Sequence, residues 1–101
     1  MKAANFAPTY VCLYPQLAEI TRKHGYALAA HGTMARDFDC VCIPWVENPS
    51  EPQAVVDEII EHFAMRQIDK PVMHLHNRLV YTIVVKFGEC FLDLSFMPIN
   101  K

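Results

Sequence analysis

The stretch His31-Gly32-Thr33-Met34-Ala35-Arg36-Asp37-Phe38-Asp39 decides how this chain is read. It holds an acid, apolar, acid step directly after a Gly-Thr turn. Tyr26 to Ala30 before it and Cys40 to Trp45 after it are apolar enough to form strands. Side chains then alternate, and Asp37 and Asp39 fall on one sheet face roughly 6.6 Å apart. At an effective dielectric of about 20, two carboxylates at that spacing repel by about 2.5 kcal/mol. Such a pair calls for water, Arg36 or a divalent cation between its members.

The neighbouring segments give this step a frame. Upstream, Tyr14, Leu17 and Ile20 recur at helical spacing up to a Gly25 stop, which predicts a helix over Tyr14 to His24 after an irregular arm of residues 1 to 9. Tyr26 to His31 and Phe38 to Trp45 predict two strands, the second closed by Pro44 and the Asn48-Pro49-Ser50 turn. Ser50 as N-cap, Pro52 in the first turn and Gln53 in the capping-box position predict a second helix. Val55, Val56, Ile59, Ile60 and Phe63 form its apolar stripe, with Asp57, Glu58, Glu61 and His62 outward. Gln67 to Arg78, broken by Pro71, reads as a connector with a brief strand around Val72 to Leu75. Val80 to Phe87 and Cys90 to Met97 read as an antiparallel hairpin turned by Gly88-Glu89 in type II′ geometry.

The order helix, strand, strand, helix, strand, strand predicts an α+β fold, a mixed and largely antiparallel sheet packed with two main helices. The chain of 101 residues is expected to be one domain. A formal charge of −2 supplies no global basic field, so strong nucleic-acid binding is not implied. No signal-like opening and no apolar run of roughly 20 residues occur, and the expected location is cytoplasmic, away from membranes. The four cysteines, Cys12, Cys40, Cys42 and Cys90, read as reduced, buried small hydrophobes. Cys40-x-Cys42 lacks the second close pair of a zinc ribbon.

A third acid stands out. Asp93 lies in Phe91-Leu92-Asp93-Leu94-Ser95, where an isolated carboxylate among apolar strand residues is expensive to bury without a partner. Gly32-Thr33 at a strand end, Asp37-Phe38-Asp39 entering the next strand and Asp93 on a later one together resemble the nucleotidyltransferase superfamily typified by DNA polymerase beta, over residues 26 to 96. The resemblance implies a nucleotidyltransferase-like core and Mg²⁺-dependent transfer of a nucleotidyl group from a nucleoside triphosphate to an acceptor. It implies that Asp37, Asp39 and Asp93 hold the metal, since hard cations prefer carboxylate oxygens and two such ions can stabilise both the attacking and the leaving oxygen. It further implies that Gly32 and Thr33 approach the triphosphate, with Arg36 neutralising charge nearby.

In most members of that superfamily a short helix and loop separate the turn from the acidic pair, whereas here only Thr33, Met34, Ala35 and Arg36 intervene. The compressed pattern, His31-Gly32-Thr33, Arg36-Asp37-Phe38-Asp39 and Pro44-Trp45, is also similar to small uncharacterised bacteriophage proteins that stand alone as single domains. The alternative expectation is therefore a catalytically inactive domain of the same fold acting as a binding or interaction module. Under either expectation a homodimer or protein partner would help complete the site.

Other features weigh less. His74 and His76 form an H-x-H pair that on a strand would share a face and could bind zinc, although exposed loop histidines are the simpler reading. Arg78 could give the same connector a cationic group for a phosphate site, and His31 could act as an acid or base or equally be a core-edge histidine bonded to backbone. Trp45 is expected to pack on the second helix, with an interface role as the alternative. No G-x-x-x-x-G-K-[ST] loop and no G-x-G-x-x-G fingerprint occur, which sets aside P-loop and dinucleotide enzymes.

Overall fold

The computed structural model describes residues 5–86 and 90–99. The element order is α1 (Ala7–Lys23), β1 (Tyr26–His31), β2 (Asp37–Pro44), α2 (Pro52–Phe63), β3 (Arg66–His74), a 3-10 turn (Leu75–Asn77), β4 (Arg78–Lys86) and β5 (Cys90–Phe96). Five strands form one sheet in the order β1-β2-β5-β4-β3. The β2–β5 pair is parallel and the other three pairs are antiparallel. The α+β class, the two helices and the mixed, largely antiparallel sheet are thus as the pattern of the chain predicts.

One face of the sheet holds the core. Tyr26 and Leu28 of β1, Phe38, Cys40 and Cys42 of β2, Tyr81 and Ile83 of β4, and Leu92, Leu94 and Phe96 of β5 are all buried on it. Tyr10, Leu17 and Ile20 of α1 and Val55, Val56 and Ile59 of α2 cover them. Tyr10 stacks on Phe38 at 5.0 Å, and Tyr26 and Tyr81 both meet Phe96 edge-on. Strand alternation sends the intervening residues, including Asp37, Asp39, Phe91, Asp93 and Ser95, to the opposite face.

Four local expectations are corrected. The first helix starts at Ala7, not Tyr14. The Phe6 N–H donates to the Ala35 carbonyl at 2.7 Å and buried Tyr10 donates its hydroxyl to the Arg36 carbonyl, so tertiary bonds order a segment that looks like an arm. Gln67 to Arg78 is no connector, because β3 runs through it as an edge strand. Pro71 is tolerated within the register shift between Ile68 and Val72, where Asp69 takes a φ of 56°.

Ser50 does not cap α2, whose N-cap is Glu51, without a side-chain bond. The Ser50 hydroxyl instead pairs with His24 Nδ1 at 2.7 Å, and the Ser50 carbonyl accepts the Tyr26 hydroxyl at 2.6 Å. Trp45 is 62 % exposed and is not buried on α2; it lines a shallow groove with Pro15, Ala18 and Tyr26. The terminal hairpin pairs as expected, with Lys86 opposite Cys90, while its Gly88-Glu89 turn lies outside the described residues.

Candidate functional site

Gly32 ends β1 with a φ of +78°, a conformation that favours glycine. A Cβ on it would stand 3.2 Å from Asp39 Oδ2, so the turn leaves room for that carboxylate as well. The Thr33 hydroxyl oxygen accepts the Ala35 N–H at 3.3 Å, and Met34 sits at a φ of 60°. With the Ala35 and Arg36 carbonyls tied to Phe6 and Tyr10, the turn is pinned beneath the start of α1. It contains no helix.

The sheet register then aligns four side chains across four strands. His31 of β1 is opposite Asp39 of β2, Asp39 is beside Asp93 of β5, and Asp93 is opposite Thr82 of β4. Neighbouring strands lie about 4.8 Å apart, so Asp39 and Asp93 are lateral neighbours on the face away from the helices. Asp37 is one strand pitch away on the same face, beside Phe91, and is exposed. Of the three predicted acids, Asp39 and Asp93 are brought together and Asp37 stands at their side.

A cavity of about 350 Å³ opens over this row, lined by Asp39, Asp93, Thr82, His31, Ser95 and, from the β3–β4 end, His74 and Arg78. Thr82 Oγ1 donates to Asp93 Oδ1 at 3.0 Å, and Arg78 Nη1 donates to Ser95 Oγ at 3.0 Å. Partial burial is the largest influence on the Asp93 carboxyl and pushes its pKa up. The Thr82 hydrogen bond opposes this, while the charges of Asp39 and then Asp37 add to it. The arrangement is a half-buried carboxylate pair with a third acid in electrostatic reach, and it favours a cation.

Thr33 and Arg36 do not line this cavity; both are exposed at the turn. Thr82 and Ser95 carry no signal in the sequence, because a hydroxyl in an apolar strand gains a role only when pairing sets it beside a charged group, Asp93 for Thr82 and Arg78 for Ser95. His74 and His76 do not share a strand face, since His76 lies in the 3-10 turn with a φ of 64°. Among the described residues no group of three or more His, Cys, Asp or Glu side chains converges as a metal-binding cluster. Cys40, Cys42 and Cys90 are buried as expected, whereas Cys12 is exposed. Burial pushes the Cys40 thiol up to about 12, which makes it a poor nucleophile. No helix is long and apolar enough to cross a membrane among the described residues.

No family model, curated protein or solved structure matches this chain.

Proposed function

We propose that the chain is a minimal nucleotidyltransferase-like domain that binds a nucleoside triphosphate with Mg²⁺ and transfers a nucleotidyl group to an acceptor hydroxyl. The observation that carries this reading is the lateral pairing of Asp39 with Asp93 on adjacent parallel strands, with Asp37 on the same uncovered face. Their oxygens are the hard donors that Mg²⁺ takes; burial raises the Asp93 pKa first, and the charges of Asp39 and Asp37, which a cation would offset, add to it. Asp39 and Asp93 would hold the metal, with the exposed Asp37 adding negative charge beside them, and the chemistry the metal would supply is to neutralise charge on the phosphoryl oxygens.

The chain's own groups supply the remaining roles. Asp93 is the acid that would take a proton from an acceptor hydroxyl, with Thr82 fixing the orientation of its carboxylate. Gly32 keeps the backbone clear of Asp39.

A second reading, a catalytically silent module of the same fold, is favoured by the turn at Thr33 to Arg36. It offers no helix N-terminus to a phosphate, and the Thr33 hydroxyl oxygen is engaged locally.

Calorimetric titration of ATP, GTP, CTP and UTP with and without Mg²⁺ tests the proposal on the wild type and Asp39→Ala. Metal-dependent binding that disappears in the variant is expected, and a wild type that binds none of them overturns the reading. Binding without pyrophosphate release, with hydroxyl acceptors present, favours the silent module.

A further inference from the structure

Arg78 and His74 belong to no acidic motif, yet the β3–β4 hairpin delivers both into the cavity that holds Asp39 and Asp93. They face each other as the last residue of β3 and the first of β4. An arginine that shares a cavity with two carboxylates commonly folds onto them in a charge-assisted pair. Among the described residues Arg78 forms no ion pair, and its guanidinium is held elsewhere. Nη1 donates to Ser95 Oγ and Nε to the Leu75 carbonyl, the latter at 3.2 Å. Ser95 is buried within β5 on the same face as Asp93, so this anchor is part of the sheet itself.

The cavity is therefore divided into an acidic pole at Asp39 and Asp93 and a cationic pole at Arg78, with His74 beside it. A ligand that satisfies both carries an anion able to share a cation with the carboxylates while its far end meets a guanidinium. A polyphosphate chain has that chemistry. At about 350 Å³ the cavity is near the lower end of the roughly 300–1,000 Å³ range of small-molecule sites, room for a phosphate chain but not for a whole nucleotide and its acceptor.

We propose that Arg78, with His74 beside it, is the anion-binding arm of this site and takes the polyphosphate chain of the nucleotide. The inference rests on the nucleotide-binding reading above and moves the grip on phosphate from the Gly32-Thr33-Arg36 turn to the opposite end of the sheet face.

The test titrates the full chain with tripolyphosphate in the presence of Mg²⁺, and separately follows Mn²⁺ binding by electron paramagnetic resonance. Arg78→Ala is expected to weaken tripolyphosphate binding by about tenfold or more and His74→Ala by a smaller factor, with Mn²⁺ binding unchanged in both. Asp39→Asn is expected to lose Mn²⁺. If Arg78→Ala does not fold, Arg78→Lys keeps the charge without the planar fork and is expected to show a partial loss. Unchanged tripolyphosphate affinity in the folded Arg78 variant overturns the arm and leaves the carboxylate reading standing. So does a wild type that binds Mn²⁺ but no tripolyphosphate. A wild type that binds no Mn²⁺ but retains Arg78-dependent tripolyphosphate binding overturns the metal reading and supports the arm; one that binds neither overturns both.

Discussion

At the scale of single residues, Asp93 is where stability and proposed function pull apart. Its pKa is raised in the folded chain, chiefly by burial, so the native state binds the proton more tightly than the unfolded chain does. Stability from this group is fully present below the ordinary aspartate value of 3.8 and is lost as pH rises through the raised folded value. An asparagine in its place would keep an oxygen to accept from Thr82 and would never ionise. Asp93→Asn should therefore melt at a higher temperature than the wild type at pH 7, with the gap closing below about pH 4, while losing Mg²⁺-dependent nucleotide binding. Thermal unfolding at several pH values measures this; a variant less stable than wild type at pH 7 would contradict it. The carboxylate is costly to the fold in the way that functional groups commonly are.

At the scale of elements, the helices are joined by a polar clamp that no pattern in the chain announces. His24, at the end of α1, bonds Ser50 through Nδ1 and Glu58 of α2 through Nε2 at 2.9 Å, and Lys23 pairs with the other Glu58 oxygen. Lys23 first and His24 second hold the Glu58 carboxyl below its ordinary 4.5. A depressed carboxylate contributes stability that is present above its unfolded pKa and is lost as pH falls through the folded one. The melting-temperature gap between wild type and Glu58→Gln should thus shrink as pH falls below 4.5; a gap that widens on acidification below that value would refute the clamp. The same scale separates legible elements from hidden ones. The stripe Val55, Val56, Ile59 is a local period and marks α2 directly, with all three residues buried. Ser50 fails as a cap signal because His24, remote in the chain, competes for its hydroxyl. The N-terminal part of α1 and the length of β3 depend on bonds to distant backbone, from Ala35 and from β4 respectively, which local propensity cannot register.

At the scale of the whole molecule, β2, β5 and β4 are interior to the sheet and β1 and β3 are its edges. β5 is paired on both sides and buries Cys90, Leu92, Leu94, Ser95 and Phe96, whereas β3 is an edge strand with a break in register. Native-state hydrogen exchange should find the slowest amides in β5 and β2 and faster exchange in β3 near Ile68 to Val72, through local opening. Equal protection in β3 and β5 would contradict this ordering. The hairpin that carries His74 and Arg78 would then be the more adaptable wall of the cavity, opposite the rigid acids. By itself the sequence determined the strand alternation that puts Asp37 and Asp39 on one face, the terminal hairpin and the apolar stripe of α2, because each follows from the geometry of a few consecutive residues. Only the tertiary structure decided that β5 enters the sheet parallel to β2, which sets Asp93 beside Asp39, and that β3 and β4 bring Arg78 over Ser95. Those placements follow from burying one apolar face of β1, β2, β5 and β4 under two helices, with β3 added at the edge through β4, a condition that no single segment contains.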